Sequence, residues 1–163
     1  MSIPTGIKKA AVLCILESPS GYLLLRRNKE PHFGKYIPVG GRLEAFETPI
    51  QAAKREVWEE TQISVDSFKL IGMLTETSPT SFNWISYIYS AQIPTIQPVQ
   101  CNEGTLEWIS LDRLAEVPAP ATDTFIYEHV AKCQFFIFDA VYDETLNLES
   151  LIDEVTNRTL LQL

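Results

Sequence analysis

The segment from Thr48 to Thr61 constrains the fold more than any other part of this 163-residue chain. Thr48 can cap a helix N-terminus, Pro49 suits the first helical position, and Gln51 completes a capping box with Thr48. The sequence therefore predicts a helix over residues 48–61. The segments on either side of it are rich in residues that favour strands.

These flanking segments predict a sheet. Residues 7–16 and 22–27 predict two strands joined by a tight turn, which forms a hairpin. The other predicted elements are strands at 66–76, 82–93, 105–110 and 134–143, a short strand within the breaker-rich loop at 36–38, a helix at 123–132 and a weakly patterned tail. Together they predict one α+β domain over residues 1–163, with helices packed on a mixed sheet.

Composition narrows the class of partner. With 21 acidic and 13 basic residues the net charge is −8, which disfavours a polymeric nucleic acid. Since no run approaches the roughly 20 apolar residues that cross a bilayer, neither a membrane helix nor a signal peptide is predicted. The three cysteines are too widely spaced for a disulfide framework or a zinc pair, so we expect a reducing cytoplasm.

Three glutamates share one face of the first predicted helix. Glu56, Glu59 and Glu60 stand at positions i, i+3 and i+4. Their repulsion is only about 0.2 to 0.5 kcal/mol per i,i+4 pair, so a solvated outer face tempered by Arg55 is one interpretation. The other is a divalent cation that relieves the crowding, for which hard oxygen ligands favour Mg²⁺ or Mn²⁺.

The sequence around this helix forms a motif. Gly41 is followed by five residues, Glu47, seven residues and then Arg55-Glu56-Val57-Trp58-Glu59-Glu60-Thr61-Gln62-Ile63. This pattern resembles the Nudix box, Gx5Ex7REUxEExGU with U aliphatic, at eight of its nine specified positions. The resemblance implies the Nudix fold, an α/β/α sandwich around a mixed sheet, and metal-dependent hydrolysis of a nucleoside diphosphate linked to another group.

The resemblance also implies a metal site. Glu56, Glu59 and Glu60 would bind the divalent ion, Mg²⁺ or Mn²⁺, together with the backbone carbonyl of Gly40. Glu103, from a later loop, would be a further metal ligand or the general base. For Glu103 the alternative is a solvated acid in a turn.

Three other motif positions would support this site. Arg55 would form a salt bridge with Glu47 and brace the glutamates, and Gly41 would complete the loop beside them. The alternative for Arg55 is a plain surface partner of Glu59. Two residues depart from the family pattern: Gln62 and Phe46 stand where glycine is usual, so we expect the helix end and the loop shape to differ.

The resemblance extends over nearly the whole chain. Residues 38–44, 101–108 and 122–125 resemble the MutT-like branch, which cleaves oxidised-purine nucleoside triphosphates. In that branch the aspartate that matches Asp123 contacts the base edge, although an aspartate here is also an ordinary helix N-cap. Glu56 or Glu103 would take the proton of the attacking water, with Glu59 completing the catalytic carboxylates.

Two arginines are candidates for phosphate binding. Arg27, at the end of the second strand, and Arg42, beside the glycines, can each contact phosphate bidentately. Trp84, Tyr87 and Tyr89 could stack on a base, but on an alternating strand they are more often core residues, so they are left out of the site.

The predicted function is a Mg²⁺-dependent pyrophosphohydrolase that converts a nucleoside triphosphate to a monophosphate and pyrophosphate. The expected partner is a small nucleotide, and the expected assembly is a monomer or homodimer without nucleic acid or membrane. One alternative substrate is ADP-ribose or another nucleoside diphosphate linked to a further group, because Pro79 stands where relatives that cleave ADP-ribose often carry proline. An alternative of another class is a Nudix-fold module that senses a nucleotide without cleaving it.

Overall fold

The computed structural model describes residues 4–163, and within them it contains ten strands and two α-helices. Along the chain these are β1 Lys9–Ser18, β2 Gly21–Arg27, β3 Tyr36–Arg42, α1 Pro49–Thr61, β4 Lys69–Thr77, β5 Trp84–Gln92, β6 Gln100–Cys101, β7 Gly104–Ile109, α2 Asp123–Ala131, β8 Phe136–Tyr142, β9 Leu148–Asp153 and β10 Arg158–Gln162. One 3-10 turn, Leu111–Arg113, follows β7. No helix in this part of the chain is long and apolar enough to span a bilayer.

All ten strands belong to one mixed sheet. Their order across the sheet is β10-β9-β8-β4-β5-β1-β3-β2-β7-β6. β1 runs parallel to β5, and β4 runs parallel to β8, whereas the other neighbours are antiparallel. The predicted α+β class and mixed sheet are confirmed.

The two helices cover opposite faces of the sheet. Helix α1 buries Ala52, Ala53 and Val57 in one apolar cluster with alternate residues of the central strands. Helix α2 buries Ile126 and Tyr127 in a second cluster on the other face. Since successive residues of a strand point to opposite faces, the central strand β1 contributes to both clusters. The predicted α/β/α sandwich is therefore confirmed.

Helix α1 begins as the sequence predicts. Thr48 is the N-cap, and its hydroxyl accepts a hydrogen bond from the Gln51 backbone N–H. The Gln51 side chain accepts in return from the Thr48 backbone N–H at 2.9 Å. This capping box satisfies two of the backbone donors that a helix start leaves free.

Both residues that depart from the family pattern, Gln62 and Phe46, have a positive φ angle. Gln62 caps the end of α1 at φ 61° and ψ 19°, in the left-handed region where glycine is usual. Its backbone N–H and its side-chain amide both donate to the carbonyl of Trp58, at 2.8 and 3.0 Å. Phe46 also has a positive φ, of 66°. The expectation that the helix end would differ is wrong, because the side-chain amide of Gln62 adds a bond that holds this conformation.

The strands differ from the prediction at β3 and in the tail, and β6 was not predicted. The first hairpin is confirmed, although β1 and β2 pair directly only at its tip. The short strand predicted at 36–38 continues to residue 42, since Gly40, Gly41 and Arg42 pair with β1. The tail forms β9 and β10, which the sequence did not predict. A register shift between β8 and β9 breaks the alternation that would have revealed them.

Candidate active site

A cleft of about 480 Å³ lies over the centre of the sheet. Because β1 separates the β4–β5 pair from the β3–β2 pair, the cleft has two chemically different sides. We call the first the charged side; it is formed by Arg27, Gly40, Gly41, Arg42, Glu56 and Glu103. We call the second the aromatic side; it includes Leu74, Glu76, Phe82, Trp84 and Asp123.

Glu56 reaches the cleft from helix α1 because Gly41 leaves room for it. A Cβ atom added to Gly41 would collide with the Glu56 carboxylate. A Cβ atom on Gly40 would collide with the backbone carbonyl of Val12, so the neighbouring glycine is needed for close pairing of β3 with β1. Burial raises the pKa of Glu56, and the nearby Arg55 guanidinium opposes that rise.

Arg55 joins the carboxylates of the motif. Its Nε and Nη2 atoms donate to the two oxygens of Glu47 at 2.8 and 2.9 Å, which is a bidentate pair. Its Nη1 atom donates to Glu56 at 2.7 Å and to Glu59 at 3.3 Å. Nη2 also donates to the backbone carbonyl of Arg42 at 2.9 Å. Arg55 therefore fixes the motif loop against the helix.

Glu60 lies beneath the charged side and is only 5% exposed. Its Oε2 atom is buried and has no hydrogen-bond partner among residues 4–163. Burial, together with the negative charges of Glu56 and Glu103, raises the pKa of Glu60 to about 8. A buried carboxylate with an unpaired oxygen is stabilised by a cation or a proton.

The other two predicted carboxylates of the charged side are more exposed. The Glu59 side chain is 54% exposed, contacts Arg55 and does not line the cleft. Glu103 lines the cleft and accepts from Nη1 of Arg27 at 3.4 Å. Arg27 also donates through Nε to the carbonyl of Pro31 at 2.9 Å, so the loop after β2 holds its guanidinium. Arg42 lines the cleft and is exposed.

The donor set fits a divalent cation in its chemistry. The carboxylates of Glu56, Glu60 and Glu103 and the carbonyl of Gly40 are hard oxygen ligands, and the unpaired Oε2 of Glu60 is a free ligand atom. Within residues 4–163, no three acidic, histidine or cysteine side chains are already grouped as a metal site. Arg55 and Arg27 hold Glu56 and Glu103 instead, so a cation would compete with these arginines for the carboxylates.

Asp123 lies on the aromatic side and is 3% exposed. The N-cap of α2 is Thr122, and Asp123 is the first helical residue, so the capping alternative is wrong. Its Oδ1 atom accepts weakly from the Thr122 hydroxyl at 3.4 Å, whereas its buried Oδ2 atom has no partner among the described residues. Burial, together with the charge of Glu76, raises the pKa of Asp123 to about 8.

Aromatic residues that the sequence did not assign to the site line the same side. Trp84 begins β5, and Phe82 lies two residues before it in the β4–β5 turn. The ring of His32 lies edge-on to Phe82 at 5.9 Å between centroids. Burial lowers the pKa of His32 to about 4, so its ring is neutral near pH 7. Trp84 was predicted to be core, whereas Tyr87 and Tyr89 pack on the opposite face in the cluster of α1.

Glu76 is another lining residue that sequence reasoning missed. The sequence offered one signal for it. Glu76 lies two residues after Leu74, so this acidic residue is on the face of β4 that carries the buried positions. Burial raises the pKa of Glu76 to about 7. Acids at such positions are rare unless they are paired or functional.

The fold and the cleft agree with the comparisons to known proteins. The NUDIX domain family matches residues 7–133, and the chain therefore belongs to the Nudix hydrolases. The enzymes of this family act on phosphoric anhydride bonds, as the resemblance implied. Members of the family use divalent metal ions.

Individual proteins show how far the similarity reaches. Phosphatase NudJ of Escherichia coli (strain K12) is 27% identical over 110 residues, which are 64% of this chain and 70% of NudJ. The crystal structure of the mutator MutT protein from Bacillus halodurans superposes with a TM-score of 0.80 and 27% identity, over 90% of this chain and 98% of that one. The NUDIX domain of Shewanella oneidensis NrtR, complexed with ADP ribose, gives a TM-score of 0.66 at 16% identity, over 77% and 88% of the two chains.

Proposed function

We propose that this protein is a Mg²⁺-dependent pyrophosphohydrolase that cleaves a nucleoside triphosphate to a nucleoside monophosphate and pyrophosphate. The substrate we assign is a purine nucleotide, with oxidised purines such as 8-oxo-dGTP as the first to test. The observation that carries the proposal is that the charged side and the aromatic side belong to one cleft. Carboxylates and arginines suited to a metal and phosphates face an aromatic wall suited to a base.

The charged side would bind the phosphates and the metal. We assign Glu56, Glu59, Glu60, Glu103 and the carbonyl of Gly40 as metal ligands. A bound Mg²⁺ or Mn²⁺ ion supplies charge neutralisation at the phosphates and a lower pKa for an attacking water. Arg27 and Arg42 line the cleft and would contact phosphate oxygens, for which a guanidinium is well suited.

The proton of the attacking water needs a carboxylate within reach. Glu56 and Glu103 both line the cleft, and either can serve as the general base. Arg55 hydrogen-bonds to Glu56 but not to Glu103, so the two candidates differ in how firmly they are held. Arg55 and Glu47 act as supports, because Arg55 hydrogen-bonds to Glu56 and Glu47 holds Arg55. Gly41 lines the cleft and leaves room for the Glu56 carboxylate.

The aromatic side would bind the base. Trp84 and Phe82 offer ring faces or edges, and Asp123 lines the cleft beside them, where its carboxyl group can meet the edge of the base. A small nucleotide is thus the partner that we propose. The acidic charge and three free cysteines accord with a cytoplasmic enzyme, which is part of the same proposal.

Product analysis tests this function. The wild-type protein is incubated with Mg²⁺ and a panel of ordinary and oxidised nucleoside triphosphates, and the products are separated by ion-exchange chromatography. We expect monophosphate and pyrophosphate in equal amounts, with the reaction abolished by chelation of the metal. Glu60→Gln should lose the reaction, and the exposed surface variant Glu116→Gln should keep it.

The same assay separates the two alternatives. Cleavage of ADP-ribose without cleavage of triphosphates would replace the substrate, although Pro79 lies in the β4–β5 turn outside the residues that line the cleft. Nucleotide-dependent thermal stabilisation without product would instead indicate a sensor, because binding to the native state raises stability whether or not cleavage follows.

A further inference from the structure

Glu76 has no role in the chemistry described so far, although it lines the cleft beside Asp123. It stands on β4 and is 9% exposed. Two cleft residues surround it on the same sheet face: Leu74 precedes it by two residues, and Trp84 is its register partner on β5. A carboxyl at such a position costs stability unless a partner accepts or donates a hydrogen bond.

The segment beyond the family match holds Glu76 in place. Tyr142, at the end of β8, donates its hydroxyl to Oε1 of Glu76 at 2.8 Å. The ring of Tyr142 also packs edge-on against Phe82, at 5.7 Å between centroids. Tyr142 lies outside residues 7–133, which match the NUDIX domain. The C-terminal strands of this chain therefore position two residues of the aromatic side.

The free acceptors on this side define the ligand chemistry. Tyr142 occupies Oε1 of Glu76, and no other hydrogen bond to this carboxyl occurs within residues 4–163. Asp123 lines the cleft as well. Its Oδ2 atom is buried, and neither this atom nor the Tyr127 hydroxyl has a hydrogen-bond partner among those residues. A carboxyl oxygen that carries no proton accepts hydrogen bonds in both the charged and the neutral form of the group. The aromatic side is thus matched to a ligand edge with neighbouring N–H donors.

We propose that Glu76 is a specificity-determining residue that, together with Asp123, selects a base edge carrying a ring N–H next to an exocyclic amino group. A 2-amino-6-oxopurine has such an edge. Tyr142 is a positioning residue that acts through Glu76. This inference rests on the proposed function, since it assumes that the aromatic side holds the base of a nucleotide.

The test compares guanosine and inosine triphosphates, which differ only in the 2-amino group. The wild-type enzyme should favour guanosine over inosine by tenfold or more in kcat/KM, because a buried acceptor is left unpaired by inosine. Glu76→Gln should reduce this preference to threefold or less. Glu17→Gln is the matched control, since Glu17 is also a strand glutamate that accepts one hydrogen bond, from Gln92 at 2.8 Å.

A second variant keeps the test valid if Glu76→Gln folds poorly. Tyr142→Phe retains the ring against Phe82 and removes only the hydroxyl, so it should raise KM for the guanosine substrate several-fold while kcat stays within twofold. Tyr87→Phe, on the opposite face, should change neither. An equal loss for guanosine and inosine in both test variants would overturn the proposal, as would a wild-type enzyme that does not distinguish the two.

Failure of the proposed function can be distinguished from failure of this inference. If the wild type cleaves no triphosphate, calorimetric binding of GDP and IDP replaces the kinetic comparison. A guanosine preference that Glu76→Gln removes would support base selection without hydrolysis. Equal affinity of the wild type for GDP and IDP would contradict it.

Discussion

The two sides of the cleft are stabilised in different ways. On the charged side, one guanidinium, that of Arg55, hydrogen-bonds to three glutamates and a backbone carbonyl. On the aromatic side, two buried carboxyls, Glu76 and Asp123, have few partners and raised pKa values. Glu60, beneath the charged side, is also buried and has a raised pKa. What distinguishes the two sides is therefore the Arg55 network, because no guanidinium hydrogen-bonds to Glu76 or Asp123 within residues 4–163.

The largest expected effect comes from the carboxylate at the centre of the charged side. Glu56→Gln should lower kcat about a hundredfold or more, because it removes a ligand charge or the general base. The measurement is steady-state hydrolysis with saturating Mg²⁺, with Glu116→Gln as the surface control. A variant that retained a tenth of the activity on every nucleotide would show that Glu56 is not central to the reaction.

A smaller effect is expected from the residue that braces this carboxylate. Arg55→Lys keeps the positive charge but loses the bidentate pair with Glu47, so kcat should fall about 10- to 100-fold. Arg113→Lys changes an exposed arginine whose one ion pair is with Glu116, at 3.7 Å, and serves as the control. Activity of Arg55→Lys within twofold of the wild type would mean that the brace is not needed for catalysis.

The motif contacts of the charged side, such as the ion pair of Arg55 with Glu47, follow from the sequence pattern. The spacing of Gly41, Glu47 and Arg55 is local along the chain, and the helix between them starts at a capping box that can be read directly. Residues so close in sequence meet through the regular geometry of one helix and one loop. The resemblance then supplied the metal-binding roles of Glu56, Glu59 and Glu60, which remain predictions.

The aromatic side depends on contacts between distant segments. Glu76 meets Tyr142 across 66 residues, and Trp84 is a lining residue only because β5 lies beside β1. A strand pattern tells which residues share a face, but not whether that face carries a core or a cleft. The tail was missed for a related reason, since the bulge between β8 and β9 interrupts the alternation.

The raised pKa of Asp123 should make stability depend on pH. An unfolded aspartate has a pKa near 3.9, and folding raises that of Asp123 to about 8, so the folded state retains the proton more strongly. Its contribution is therefore complete below about pH 4 and is lost as the pH rises toward about 8. Relative to Asp123→Asn, the wild type should lose stability with a slope of up to about 1.4 kcal/mol per pH unit.

Urea unfolding of the two proteins between pH 5 and pH 8 measures this slope. Asp112→Asn is the control, because Asp112 lies in an exposed turn. If the difference in unfolding free energy between Asp123→Asn and the wild type is constant across this range, the folded state does not retain the Asp123 proton above pH 5.

The smallest expected effect concerns the loop that enters α1. Phe46 has a φ of 66° and a fully exposed side chain, so it makes no packing contact that would offset the left-handed conformation. Phe46→Gly should raise the free energy of unfolding by about 0.5 to 1 kcal/mol, since glycine avoids most of that strain but adds chain entropy. Thermal unfolding measures the gain, and lower stability of the variant would contradict this explanation.

The most direct test of the account compares one variant from each side of the cleft on the same substrates. Values of kcat/KM are measured for the wild type, Glu56→Gln and Asp123→Asn on guanosine, adenosine and 8-oxo-guanosine triphosphates with Mg²⁺. We predict that Glu56→Gln lowers all three values by a similar factor, and that Asp123→Asn changes their ranking. A uniform loss in Asp123→Asn, or a changed ranking in Glu56→Gln, would contradict the division of the cleft into a reacting side and a base-selecting side.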